Sequence, residues 1–104
     1  MEKKLPSAYR RFAEAHPKII QAYEALGDAT LTDGPLDRKT AELVKLGIAV
    51  GARLEGAVHA HVRRARDAGA SPDEIRHAIR LATTTVGFPT MMSALSWTED
   101  VLGG

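Results

Sequence analysis

The stretch LEGAVHAHVRRARDAGASPDEIRHAI, residues 54–79, predicts two helices joined by a short turn. Its first part repeats apolar residues at helical spacing, and Gly69 is a typical helix stop. Its second part opens with Ser71-Pro72-Asp73-Glu74, a capping box with proline at the first helical position. The stretch therefore predicts one helix over about Leu54 to Ala68 and another that begins after Ser71.

Helical spacing continues toward the N-terminus. Asp37 is a plausible N-cap for a helix that runs to about Arg53. This helix is apolar over most of its circumference, which is typical of a central helix packed on several sides. Before it, a helical region from Pro6 to about Ala29 is interrupted at Pro17, and a loop over Thr30 to Pro35 follows.

Helical spacing also continues toward the C-terminus. The helix that begins after Ser71 is expected to end at Gly87, and Pro89 starts a last helix that reaches Leu102. No sustained strand alternation occurs in the sequence. The pattern predicts an all-α fold, a small helical bundle of about five to six helices in a single domain over residues 1–104. Its alanine content and nearly apolar helix suggest self-association.

Composition narrows the class of protein. The net charge is +1, the hydrophobic fraction is 44% and the charged fraction is 26%, which predicts a folded protein with no affinity for nucleic acid or a membrane. There is no cysteine, so disulfides and thiol chemistry are excluded. The N-terminal residues 1–6 lead into no apolar signal-peptide core, so the expected location is the cytoplasm.

Two of the four histidines, His59 and His61, share one predicted helix. Side chains two residues apart on a helix point about 200° apart, so these two do not face one site. A pair of zinc ligands on one helix is expected at i and i+4. A metal site of Glu55, His59 and His61 is therefore the weakest of three hypotheses, behind the two described at the end of this section. We expect no metal and no cofactor.

His61 falls on the apolar stripe of its helix with Val58 and Ala65. Partial burial beside a carboxylate could hold its pKa near neutrality, as a general acid or base requires. The alternative is a core histidine bonded to a backbone carbonyl. His59 lies on the polar face between Glu55 and Arg63, either in a surface charge ladder or as a polar group at a subunit interface.

Glu42 is the carboxylate of interest on the preceding helix. It lies four residues after Arg38 and three before Lys45, which favours a salt-bridged surface glutamate. It would take a catalytic role only by facing His61 across a helix pair.

Three runs of sequence together resemble a known superfamily. They are LDRKTAELVKLGIAVGAR at 36–53, the stretch at 54–79, and VGFPTMMSALSWTEDVL at 86–102. These runs are similar to helices of the carboxymuconolactone decarboxylase and alkylhydroperoxidase D superfamily. The resemblance covers about residues 35–102 and implies helical protomers that assemble as homotrimers or homohexamers, with sites near subunit contacts.

The resemblance also implies which residues carry the chemistry. In the peroxidase branch a glutamate precedes C-x-x-C-x-x-x-H; when its histidine is placed on His61, the glutamate falls on Glu42 and the cysteines fall on Leu54 and Ala57. Peroxide reduction needs both thiols, so thiol peroxidase activity is not expected. The decarboxylase branch also carries a histidine at the position of His61, but Ala57 stands where that branch has an acidic residue, which leaves the substrate open.

Two hypotheses about function follow. The first is a lyase or decarboxylase-type enzyme that acts without a cofactor on a small organic acid or lactone. His61 would move the proton, Glu42 would orient its imidazole, His59 is the third candidate, and Arg53 or Arg63 would hold a substrate carboxylate. The alternative is a non-catalytic oligomeric binding or structural protein that retains the fold. Hydrogen-bond contact between Glu42 and His61 would favour the first.

Overall fold

A computed structural model describes residues 5–103 of the protein. Its regular secondary structure within these residues is all helical. Met1 to Lys4, on which part of the signal-peptide argument depends, lie outside the described residues. The described chain divides into two compact units between Pro35 and Leu36. The helices are α1 (Ser7–Ala15), α2 (Pro17–Thr32), α3 (Arg38–Gly51), α4 (Glu55–Asp67), α5 (Pro72–Arg80), α6 (Thr83–Val86) and α7 (Phe88–Leu102).

The prediction of an all-α fold is confirmed, since residues 5–103 contain no strand. The expected five to six helices correspond to the six longer segments, and α6 adds a single turn. Within the same range, no helix combines the length and the apolar character that crossing a membrane requires. The single domain over residues 1–104 stays a prediction.

The first unit consists of α1 and α2. As predicted, Pro17 begins a new helix, and the hydroxyl of Tyr9 donates a 2.7 Å hydrogen bond to the carboxylate of Glu24 across the two helices. The second helix continues to Thr32, so the loop begins three residues later than expected. Neither helix has a fully buried residue.

The second unit has one hydrophobic core, with α4 packed against both α3 and α7. Nearly all of the core residues come from four helices, α3, α4, α5 and α7, because the apolar residues of these helices recur every three or four positions. The core residues are Leu46, Ala49, Val50, Val58, Val62, Ala65, Ala70, Ile75, Ile79, Met91 and Ala94.

Local capping signals set the helix boundaries in this unit. The carboxylate of Asp37 accepts a 2.7 Å hydrogen bond from the backbone N–H of Thr40, which confirms the predicted N-cap of α3. The capping box of α5 is also present, with Ser71 and Glu74 each accepting from the backbone of the other.

One expectation about helices in this unit was wrong. The helix after Ser71 was expected to reach Gly87, but it ends at Arg80 and restarts as α6. At this break the hydroxyl of Thr83 donates to the carbonyl of Arg80, a competing local bond that threonine favours over a continuous helix.

The helix α3 packs against α4, α5 and α7, as expected of a central helix. Its apolar surface is not fully covered within this chain, because Val44 and Ile48 are 48% and 65% exposed.

The turn between α3 and α4 has an unusual backbone. Arg53 adopts φ +58°, the left-handed conformation that usually falls to glycine. The N–H of Arg53 donates to the carbonyl of Val50, and the N–H of Leu54 donates to that of Ala49. These two bonds close α3 and start α4 immediately, so that the two helices pack against each other.

Candidate active site

A glutamate–histidine pair joins α3 to α4. Nδ1 of His61 lies 3.0 Å from Oε1 of Glu42, and the two side chains are 14% and 2% exposed. The expectation of a surface glutamate was wrong, because Glu42 lies on the buried side of α3 with Leu46, Ala49 and Val50. A buried carboxylate requires hydrogen-bond partners, and His61 provides one.

The environment keeps His61 neutral near pH 7. Burial lowers the pKa of His61 below its ordinary value, and the hydrogen bond and negative charge of Glu42 offset only part of that shift. With an ionised Glu42 as acceptor, the proton of the neutral ring resides on Nδ1. The unprotonated Nε2 is then the atom that can accept a proton.

Two cations lie near the imidazole. The positive charges of Lys45 and Arg64 lower the pKa of His61 further. Lys45 follows Glu42 by three residues on α3, and Arg64 follows His61 by three on α4, so each lies on the same helix face as its partner in the pair. Sequence reasoning named Lys45 only as a salt-bridge neighbour of Glu42 and missed Arg64 beside His61, although the same spacing was the available signal.

The sequence suggested Arg53 or Arg63 as the residue that holds a substrate carboxylate. Nε of Arg53 donates a 3.2 Å hydrogen bond to the hydroxyl of Thr90. Arg63 is partly buried on α4, three residues before Arg66 and two after His61. Their role with a substrate carboxylate stays a prediction.

His59 belongs to a different face of α4. Its Nε2 lies 3.0 Å from Oδ2 of Asp100 on α7, and the side chains are 26% and 59% exposed. The prediction that His59 and His61 do not share one site agrees with these separate partners. The structure therefore brings Glu42 and His61 together but gives His59 no hydrogen bond to either, and its catalytic role stays a prediction.

An open cleft lies on the other side of α3 from Glu42. It has a volume of about 530 Å³ between α3, α5 and α6, and neither Glu42 nor His61 lines it. Its walls are mainly apolar, with polar side chains from Thr40, Glu74, His77 and Thr85.

The positions that hold cysteines in the peroxidase branch are apolar here. Leu54 caps the start of α4 and is 54% exposed, and Ala57 packs against the core. Proton transfer between His61 and a small molecule remains chemically available, because it needs only a basic nitrogen and a group that stabilises the charged ring.

The fold and this pair agree with what sequence comparison finds. The model of the carboxymuconolactone decarboxylase family matches residues 17–100, and the chain therefore belongs to that family. The prediction of the superfamily is confirmed. A crystal structure of an apo carboxymuconolactone decarboxylase family protein from Legionella pneumophila is similar, with a TM-score of 0.78 and 25% identity over 93% of this chain and 87% of that one.

Three similar proteins are described as uncharacterized. A Haemophilus influenzae protein is 40% identical over 56% of this chain, a match that spans about half (51%) of its own length. An uncharacterized protein of the cox locus of Paracoccus denitrificans is 30% identical over 76% of this chain and 71% of its own length. An uncharacterized Methanocaldococcus jannaschii protein is 28% identical over 85% of this chain and 86% of its own. These relatives name no substrate, which leaves the substrate to be derived from the site.

Proposed function

We propose that the protein catalyses proton transfer on a small organic acid or lactone, as a decarboxylase-type lyase that needs no cofactor. The single observation that carries this proposal is the 3.0 Å contact between buried Glu42 and His61. The contact favours this proposal over the non-catalytic alternative, because a buried acid–base pair with a lowered histidine pKa is typical of sites that move protons.

The proposed cycle uses His61 as a base and then as an acid. Nε2 accepts a proton from the substrate, and the ring becomes an imidazolium whose Nδ1–H still donates to Glu42. The carboxylate of Glu42 stabilises that positive charge at the moment it forms. The bond between the departing carboxylate and its neighbouring carbon then breaks, carbon dioxide leaves, and the bonding electron pair stays on that carbon as an enolate. The imidazolium returns the proton to the same carbon, which completes the product and restores the neutral ring.

Lys45 and Arg64 indicate the charge of the substrate. Both act on the pKa of His61, so both lie within electrostatic reach of the atom that accepts the proton. A substrate carboxylate held by these cations would be placed beside Nε2 and would raise its basicity in the bound complex. These two residues are better placed for that role than Arg53, which is bonded to Thr90.

The test is turnover of carboxylated lactones and keto acids, followed by NMR and by release of carbon dioxide. For a substrate that the wild type converts, His61→Ala is expected to lower turnover by about 10²- to 10⁴-fold, which is the usual contribution of general acid–base catalysis. His77→Ala is the matched control, because His77 is exposed on α5 and takes no part in the pair. Equal turnover in His61→Ala and wild type would overturn the proposal, and no turnover across the whole panel would favour the non-catalytic alternative.

We also infer that copies of the chain associate, as trimers or hexamers, through the cleft side of α3. Val44 and Leu81 line this cleft and are 48% and 64% exposed, and Ile48, one turn after Val44, is 65% exposed. Apolar side chains this exposed and this close together are typical of an interface between proteins. The cytoplasmic location stays a prediction.

Association is tested by light scattering on a sizing column. The wild type is expected to elute as a trimer or hexamer, and Ile48→Glu as a smaller species, because the new charge would be buried unpaired. Thr84→Glu, at an exposed position of α6 that does not line the cleft, is the control and should assemble normally. A monomeric wild type at micromolar concentration would contradict the inference.

A further inference from the structure

A second group of chemically active side chains lies on the face of α4 that carries His59. Glu55 and His59 of α4 and Asp100 of α7 each direct one ligand atom to the same place, and these atoms all lie within 4.8 Å of one another. We propose that these three residues bind a divalent transition-metal cation of the Zn²⁺ type. This site is separate from the Glu42–His61 pair and does not depend on the function proposed for that pair.

The backbone arranges the first two ligands. Glu55 and His59 are four residues apart on a continuous helix, so their side chains lie on one face a single turn apart. This is the spacing by which one helix supplies two ligands to a metal ion. The third ligand comes from α7, which packs against α4, and Oδ2 of Asp100 already lies 3.0 Å from Nε2 of His59.

The distances suit a small cation after modest side-chain movement. Zinc binds imidazole nitrogen and carboxylate oxygen at roughly 2.0–2.2 Å, which places ligand atoms about 3–3.5 Å apart around the ion. The pair of His59 and Asp100 already meets this separation. Glu55 is exposed and the side chain of Asp100 is 59% exposed, so both can rotate without disturbing the core.

The donor set also selects the class of cation. Two carboxylates and one neutral imidazole carry a charge of −2 in total, which balances a divalent cation. An imidazole ligand favours zinc and similar transition metals over magnesium or calcium, which prefer oxygen ligands alone. Three protein ligands leave at least one of the four usual coordination positions of zinc open. Water can fill it, because Glu55 and Asp100 are exposed to solvent.

The structure revises the metal site that the sequence suggested. That hypothesis joined Glu55 and His59 to His61, but His61 faces Glu42 on the other side of α4. Asp100 lies 41 residues from His59 in the sequence, and only the packing of α7 on α4 brings it into reach. The bound ion would thus connect these two helices.

The test is calorimetric titration of the untagged protein with zinc chloride. The wild type is expected to bind one equivalent per chain, and His59→Ala and Asp100→Asn are each expected to weaken binding by about tenfold or more, since each removes a ligand. His77→Ala is the matched control, an exposed histidine without a carboxylate cluster, and it should bind as the wild type does.

A second readout separates loss of the site from loss of the fold. Zinc is expected to raise the midpoint of thermal unfolding in the wild type and in His77→Ala, because an ion that binds only the folded chain stabilises it. Asp100→Asn, which keeps the size of the side chain, should unfold at the wild-type temperature without zinc and gain nothing when zinc is added. Wild-type binding that survives His59→Ala, or that is lost in His77→Ala, would overturn the proposal.

Discussion

The two faces of α4 carry the same pair of chemical groups in different surroundings. On one face His61 meets Glu42 at 3.0 Å, with side chains 14% and 2% exposed. On the other face His59 meets Asp100 at the same distance, with side chains 26% and 59% exposed. Both pairs join an imidazole to a carboxylate at the same distance, through Nδ1 of His61 and Nε2 of His59. They differ clearly in burial.

Burial makes the first pair a coupled unit and leaves the second open to solvent. At Glu42 the low-dielectric interior raises the cost of losing either partner, because the other is left without a hydrogen bond. At Asp100 water and ions screen the attraction and can replace either partner. Proton transfer therefore fits the His61 face, and exchangeable ligand binding fits the His59 face.

The largest expected difference is in stability. Glu42→Ala should lower the free energy of unfolding by about 3 kcal/mol, since it leaves a cavity and removes the bond to His61. Asp100→Ala, the matched change on the other face, should cost under about 1 kcal/mol, as is usual for exposed pairs. Urea denaturation of both variants measures this. Equal costs would mean that burial does not distinguish the two faces.

A smaller effect on stability is expected at Arg53, in the turn between α3 and α4. Arg53 holds a left-handed backbone there, at φ +58°. Arg53→Ala and Arg53→Gly both remove the bond to Thr90, but only glycine relieves the backbone strain, so the glycine variant should be more stable by about 1 kcal/mol. The comparison is made by urea denaturation. An alanine variant as stable as the glycine variant would contradict strain at this turn.

The smallest expected effect is in the pH dependence of stability. The pKa of His61 is lowered in the folded chain, so as pH falls below about 6.5, the ordinary value, the unfolded chain binds the proton first. The free energy of unfolding is therefore highest above pH 6.5, and it decreases as pH falls from 6.5 through the pKa of His61 in the folded chain. His61→Gln should therefore show a shallower loss of stability between pH 7 and pH 5 than the wild type. A wild-type slope retained in His61→Gln would place the titrating group elsewhere.

Local sequence was sufficient for much of the fold. The caps at Asp37 and Ser71 and the helix restart at Pro17 depend on residues within one turn, so their chemistry can be read directly. The break after Arg80 could not, because no glycine or proline marks it and a threonine side chain competes with the helix there.

The sequence was likewise sufficient for some residues of the candidate sites and insufficient for others. The helical stripe placed His61 partly inside, but local spacing put Glu42 on the surface, and only the family resemblance joined the two. Spacing did place Lys45 beside Glu42, and Arg64 could have been found from its spacing to His61 in the same way. Asp100 could not, because its contact with His59 depends on how α7 packs on α4, which no local pattern encodes.

The most direct test of the coupled Glu42–His61 pair is NMR titration of the histidines in the wild type and in Glu42→Gln. His61 is expected to titrate below the ordinary histidine value of 6.5 in the wild type, and lower still in Glu42→Gln, because Glu42 is the group that raises its pKa against burial. Titration of His61 at the ordinary value, with no response to Glu42→Gln, would show that the two side chains do not form a coupled buried pair.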